Sequence, residues 1–155
     1  MTEIIDNINN QIVESANTIN DVSEISQVIE KTINVIIKCL QNKNKIILCG
    51  NGGSAADSQH IAAEFIGRFN LERESLPAIS LTTDTSIITS IGNDYSFDEI
   101  FSRQCESLVL HGDIVIGIST SGNSQNVINA LKKSKLKGAT TIGVLGNDGG
   151  EIKKL

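Results

Sequence analysis

Two stretches of the chain combine residue types suited to holding an anion. CGNGGSAAD (49–57) and ISTSGNSQNV (118–127) each run from an apolar segment, through Gly, Ser and Asn, into a segment with helical spacing. Glycine lets a ligand approach the main chain closely, and the N–H groups and dipole of a helix start favour negative charge. In the first stretch Asn51, Gly52, Gly53 and Ser54 form the turn, and in the second Ser119, Thr120, Ser121 and Ser124 add four neutral hydroxyls. The chain has neither GxxxxGK[ST] nor GxGxxG, so the two common nucleotide cradles are absent. A hydroxyl-rich cradle without lysine suits a single phosphate monoester, such as a sugar phosphate. The plainer alternative is a pair of tight strand-to-helix turns.

A second set follows the first loop. His60 and Glu64 are four apart and share a helix face, with Asp57 three residues before and Arg68 four after. H-x-x-x-E can offer one imidazole and one carboxylate to a divalent metal, typically zinc, with further ligands from elsewhere. The same spacing also describes an ordinary solvated ion pair between Glu64 and Arg68. It is not HExxH, so a metalloprotease is not indicated. His111 stands between a helical and a strand-like segment and reads as a helix C-terminal residue near the dipole. The stretch TTDTSIITSIGND (82–94) is polar and nearly uncharged and ends in Asn93-Asp94. Asp94 is either a turn former or a carboxylate for sugar hydroxyls. Cys39, Cys49 and Cys105 have no CxxC spacing and read as small buried hydrophobes in a reducing cytoplasm.

These groups need a frame, and the periodicity supplies one. Residues 3–20 and a segment from an N-cap at Ser23 to Leu40 each carry isoleucines at helical spacing. Each helix has a wide apolar stripe to bury, on the following sheet or on another subunit. From residue 45 the pattern changes to strands at 45–50, 77–83, 112–120 and 139–146, with helices at 54–69, 96–110 and 124–138. After the second of these strands a TDTS turn opens a short helical stretch. Strands alternating with helices predict a parallel sheet between two helical layers, a three-layer α/β/α sandwich preceded by two N-terminal helices. One domain over 1–155 is expected, with helices at about 2–42 and an α/β core at about 45–155. GNDGGEIKKL (146–155) repeats the strand-to-helix transition and stops after one turn, so the chain is expected to continue past Leu155.

Composition narrows the class further. The chain of 155 residues has 25 Ile but five aromatics, so its core is aliphatic. A net charge of −5, with no basic block longer than a pair, argues against nucleic acid held by phosphate neutralisation. No run of 18 apolar residues predicts a membrane span, and the opening MTEIIDNINN lacks the pattern of a secretory signal.

Four blocks in order, GNGGSAADSQHIAAEFIGRF, LPAISLTTDTS, IGNDYSFDEIF and GISTSGNSQNVINAL, closely resemble the sedoheptulose 7-phosphate isomerase (phosphoheptose isomerase) family of the sugar isomerase (SIS) fold. The resemblance implies a flavodoxin-like parallel sheet, a cytoplasmic homotetramer with sites near subunit interfaces, and an aldose–ketose isomerisation through an enediol. Its product would be D-glycero-D-manno-heptose 7-phosphate, the start of ADP- or GDP-heptose synthesis for lipopolysaccharide and other surface glycans. By position, Ser54, Ser119, Thr120, Ser121 and Ser124 would form the phosphate cradle. Asn51, Gly52, Gly53, Asn93 and Asp94 would make the other substrate contacts. Glu64 would be the base, with Asp94 and Arg68 assisting. His60 and Glu64 would be two ligands of one zinc ion per subunit. The family's remaining ligands, a glutamine and a histidine on a later helix, have no counterpart up to residue 155. The fold also serves a replication-initiator-binding protein and isomerases of arabinose or hexose phosphates. The former lacks the glutamate at the position of Glu64, and the latter lack the TTDTS…GND sequence, which favours the heptose enzyme.

Overall fold

The computed structural model of the protein describes residues 2–155. They divide into a unit ending at Val35 and a second unit over Ile36–Leu155. The first unit holds helix α1 (Thr2–Asp21), a 3₁₀ turn at Val22–Ile25 and the first part of helix α2 (Ser26–Gln41), which runs on into the second unit. Ser23 lies inside that turn and its carbonyl accepts the Ser26 N–H, so it is not the side-chain N-cap the sequence predicts. Along α1, Ile4, Ile8, Ile12 and Ile19 are all more than half exposed.

The second unit is built on a parallel sheet of β1 (Ile46–Gly50), β2 (Ala78–Ser80), β3 (Ile114–Ser119) and β4 (Thr140–Leu145), in the order β2-β1-β3-β4. Ile46 lies opposite Ala78 on one side and Ile114 on the other, and Ile114 lies opposite Thr140. Alternation along the strands sends side chains to two cores. Ile47, Cys49 and Val115 pack with Phe101, Cys105, Val127 and Leu131, from α5 (Ser102–Leu108), α6 (Gln125–Leu136) and the turn before α5. Ile46, Leu48, Ile114, Ile116 and Ile118 pack with Ala62 of α3 (Gly53–Ile66) and Cys39 of α2. The result is the expected α/β/α sandwich. All three cysteines are free and buried, and burial, with the nearby Cys105 adding to it, pushes the Cys49 thiol far above its usual range.

Boundaries differ from expectation where local chemistry overrides periodicity. Pro77 has no N–H to give a ladder, and β2 is a three-residue edge strand in place of the seven expected. Helix α4 (Thr85–Asp94) is capped by the Asp84 carboxylate, which accepts the Ile87 N–H at 2.9 Å. The helix expected at 96–110 is a 3₁₀ turn at Phe97–Glu99 followed by α5. The segment after β4 ends in a 3₁₀ turn at Ile152–Lys154.

Candidate active site

Because every strand is parallel, all carboxyl ends lie at one edge of the sheet. The chain steps outward from β1 to β2 and then back across β1 to β3, so the order reverses between β1 and β3. Open α/β sheets bind ligands at such a switch point. Both glycine–serine loops leave the sheet there: residues 51–52 lead from β1 into α3, and residues 120–124 lead from β3 into α6.

Neither helix start is capped by a side chain, in contrast to α4. Gly52 occupies the N-cap of α3 with φ of 55°, a conformation that favours glycine. Ser124 occupies the N-cap of α6, but its Oγ lies 3.1 Å from Ser119 Oγ and caps nothing. At the start of α3 the Ser54 N–H donates to the Asn51 carbonyl and the Ala55 N–H to that of Gly52, and in α6 the Val127 N–H donates to Asn126 Oδ1. Ser119 is buried and its Oγ also accepts the Gly122 N–H, while Thr120 and Ser121 are exposed. Gly122 has φ of +67°, and a Cβ there would collide with the Gly149 carbonyl oxygen. The 146–152 segment thus braces the second loop, with Gly146 N–H donating to the Ser119 carbonyl and Ile152 N–H to that of Gly122.

The edge carries no lysine in either loop. The buried charge of the sheet lies at its other end. There Asp113, before β3, meets Lys45 Nζ at 2.6 Å and accepts N–H groups from Lys45 and Leu110. Burial opposes the charge of Asp113, but the Lys45 ammonium and those N–H groups outweigh it and hold its carboxyl below the usual range. His111 also sits at this end, where its carbonyl accepts from Asn44 and its ring covers Gly138.

On α3, His60 Nε2 and Glu64 Oε1 are 3.3 Å apart, with side chains 74% and 40% exposed. They open on a concave region of about 700 Å³ whose lining includes Phe65, Arg68, Leu71 and Arg73. Arg68 does not continue the stripe. The helix ends at Ile66, Phe69 takes a φ of 48°, and Arg68 pairs with Glu72 at 3.6 Å in place of Glu64. Arg73 closes this end: its guanidinium donates to the carbonyls of Glu64, Phe65 and Gly67 at the C-terminus of α3, and to that of Glu74, at 2.7 to 3.2 Å. No spacing in the sequence distinguishes Arg73. Asn93 and Asp94 close α4, where Asn93 Nδ2 donates to Asp94 Oδ1 at 2.9 Å; no hydrogen bond among the described residues joins them to either loop. His60 and Glu64 bring two donors together, but no group of three or more His, Cys, Asp or Glu that could hold a metal occurs among the described residues.

A parallel sheet with helices on both faces and hydroxyl loops at its switch point defines the class, and the SIS domain family model matches residues 11–146. The phosphoheptose isomerase of a Nitratiruptor species is 52% identical over 98% of this chain and 82% of that protein. The phosphoheptose isomerase of Aliarcobacter butzleri is 55% identical over 86% of this chain and 71% of that protein. A solved phosphoheptose isomerase from Neisseria gonorrhoeae superposes with a TM-score of 0.92 at 41% identity, covering 98% of this chain and 80% of that one. The chain belongs to the SIS domain family and, within it, to the phosphoheptose isomerases, and it is an isomerase.

Proposed function

We propose that the protein interconverts sedoheptulose 7-phosphate and D-glycero-D-manno-heptose 7-phosphate in the cytoplasm, opening a route to nucleotide-activated heptose for surface glycans. The observation that carries this reading is the pair of uncapped, hydroxyl-bearing loops at the β1/β3 switch point, with Glu64 on the helix that one of them starts. The phosphate is held by Ser54, Ser119, Thr120, Ser121 and Ser124 and by main-chain N–H groups, with Asn51, Gly52, Gly53, Asn93 and Asp94 along the sugar. With the phosphate fixed, the open-chain sugar presents C1 and C2 to one base.

Glu64 removes the proton from C1 of the ketose, giving the enediol, and returns it to C2 as the hydroxyl proton passes from O1 to O2. No atom is gained or lost, and one carboxylate serves both directions. His60, at 3.3 Å, orients that carboxylate. Asp94 assists proton traffic between the oxygens. Arg68 answers to Glu72, so its part is limited to substrate charge at the mouth of the site. His60 and Glu64 would also hold zinc as two of its ligands. Two donors fall short of the three or four protein ligands such sites use, and no step here runs through the metal. Bound there, zinc would polarise the sugar oxygens.

The exposed isoleucine stripe of α1 supports assembly as a homotetramer. The deciding experiment is incubation with sedoheptulose 7-phosphate and detection of the aldose product by chromatography. Absence of product, under conditions where a phosphoheptose isomerase relative turns over, overturns the assignment.

A further inference from the structure

The two loops are separate in sequence, yet one contact fixes them to each other. Asn51 Nδ2 donates to Asn126 Oδ1 at 2.9 Å, and Asn126 Nδ2 donates to Asn51 Oδ1 at 2.9 Å, a closed amide pair across 75 residues of chain. Asn126 Oδ1 also accepts the Val127 N–H at 2.9 Å. Asn126 is 2% exposed, in the first turn of α6, so an unpaired amide at this position would be costly. No other side-chain hydrogen bond among the described residues links 51–54 to 119–126. The side-chain amide of Asn51 is engaged through both its oxygen and its nitrogen by Asn126.

We propose that the Asn51–Asn126 pair sets the separation of the two glycine–serine loops, which makes Asn126 a positioning residue for the phosphate group. A phosphate bound between two helix starts needs donors from both at once. Letting the loops drift apart weakens that joint grip while leaving Glu64, on a different turn of α3, able to move protons once substrate is bound. This rests on the function proposed above, and the test separates the two.

Asn126→Ala is expected to raise both the KM for sedoheptulose 7-phosphate and the inhibition constant of inorganic phosphate roughly tenfold, with kcat within about threefold of wild type. Asn126→Asp has the same shape and keeps the acceptor for Val127 N–H, but turns a second oxygen toward Asn51 Oδ1; it should show the same pattern and answers the question if the alanine variant fails to fold. In a cycle with Asn51→Ala, the double variant should be little worse than either single one. A folded variant in which KM and the phosphate constant stay within about threefold, or in which kcat falls while KM holds, overturns the proposal. Calorimetric binding of inorganic phosphate isolates it from the choice of substrate. Wild type that binds phosphate without turning over the heptose, with Asn126→Ala binding it roughly tenfold more weakly, supports the pair and overturns the substrate assignment. Wild type that neither binds nor turns over overturns both.

Discussion

Glu64 and Asp113 are both carboxylates, and they stand in opposite settings. Glu64 is 40% exposed beside His60. Glu64→Gln keeps the size and the helix but removes the proposed base, so turnover should fall at least about a hundredfold with unchanged circular dichroism and melting temperature. A variant retaining more than a few per cent of the activity would rule out the assignment. Asp113 is 1% exposed and satisfied by Lys45, Leu110 and the Lys45 main chain. Its carboxyl is held below its unfolded value, so it stabilises the fold above about pH 4 and loses that contribution as pH falls through the folded value. Asn at this position leaves Lys45 without a counter-charge. Asp113→Asn should cost about 3 kcal/mol in urea unfolding at pH 7, and the gap from wild type should narrow steadily below about pH 4. A gap independent of pH would show that packing, and not the charge, is what the residue supplies. His60 and Glu64 were legible because a four-residue spacing is a helix face. Asn126 and Arg73 were not, because an amide pair across 75 residues and a guanidinium returning to a helix end have no local signature.

At the scale of elements, positions were readable and ends were not. Strand β1 announces itself as IILCG, a continuous apolar run buried on both faces, and β3 does the same. Helix α3 ends at Ile66, short of the expected Phe69, since Phe65, Ile66 and Phe69 continue an apolar rhythm that Gly67 and the Arg73 cap override. Arg73→Met keeps the aliphatic stem and removes four hydrogen bonds to carbonyls, those of Glu64, Phe65, Gly67 and Glu74. It should lower stability by about 2 kcal/mol and loosen the C-terminal turn of α3, seen as faster amide exchange over residues 63–67. Protection there equal to wild type would remove the capping role. The brace on the second loop makes a sharper case. Gly122 has both the left-handed φ and the Gly149 carbonyl standing where a Cβ would go. Gly122→Ala must push the 149–150 segment off the loop, and phosphate binding should weaken roughly tenfold while the sheet stays intact. Unchanged phosphate affinity would mean that the brace does not shape the cradle.

The net charge of −5 looks ill suited to a phosphate ligand until the site is placed on the sheet. The paired charge of Asp113 and Lys45 lies at the amino edge, while the carboxyl edge offers hydroxyls and helix starts, so neither loop needs a lysine to hold an anion. The α/β/α layering was legible because alternating strand and helix periods admit few other arrangements. What covers the first helix was not, since an apolar stripe records that something packs there and not what. Within this chain Ile4, Ile8, Ile12 and Ile19 are exposed at 53% to 72%, spaced to line one side of α1. A homotetramer would bury that side against copies of itself. The wild-type protein should then sediment at about four times the 16.6 kDa of one chain, and Ile12→Glu, which places a charge in the middle of the stripe, should shift it to smaller species at micromolar concentration. Circular dichroism separates dissociation from unfolding, because the two cores of the α/β unit are built from buried residues within 39–152. A wild type that sediments as a single chain, or an Ile12→Glu variant that keeps the wild-type mass, would remove the stripe from the assembly and leave its exposure to another cause.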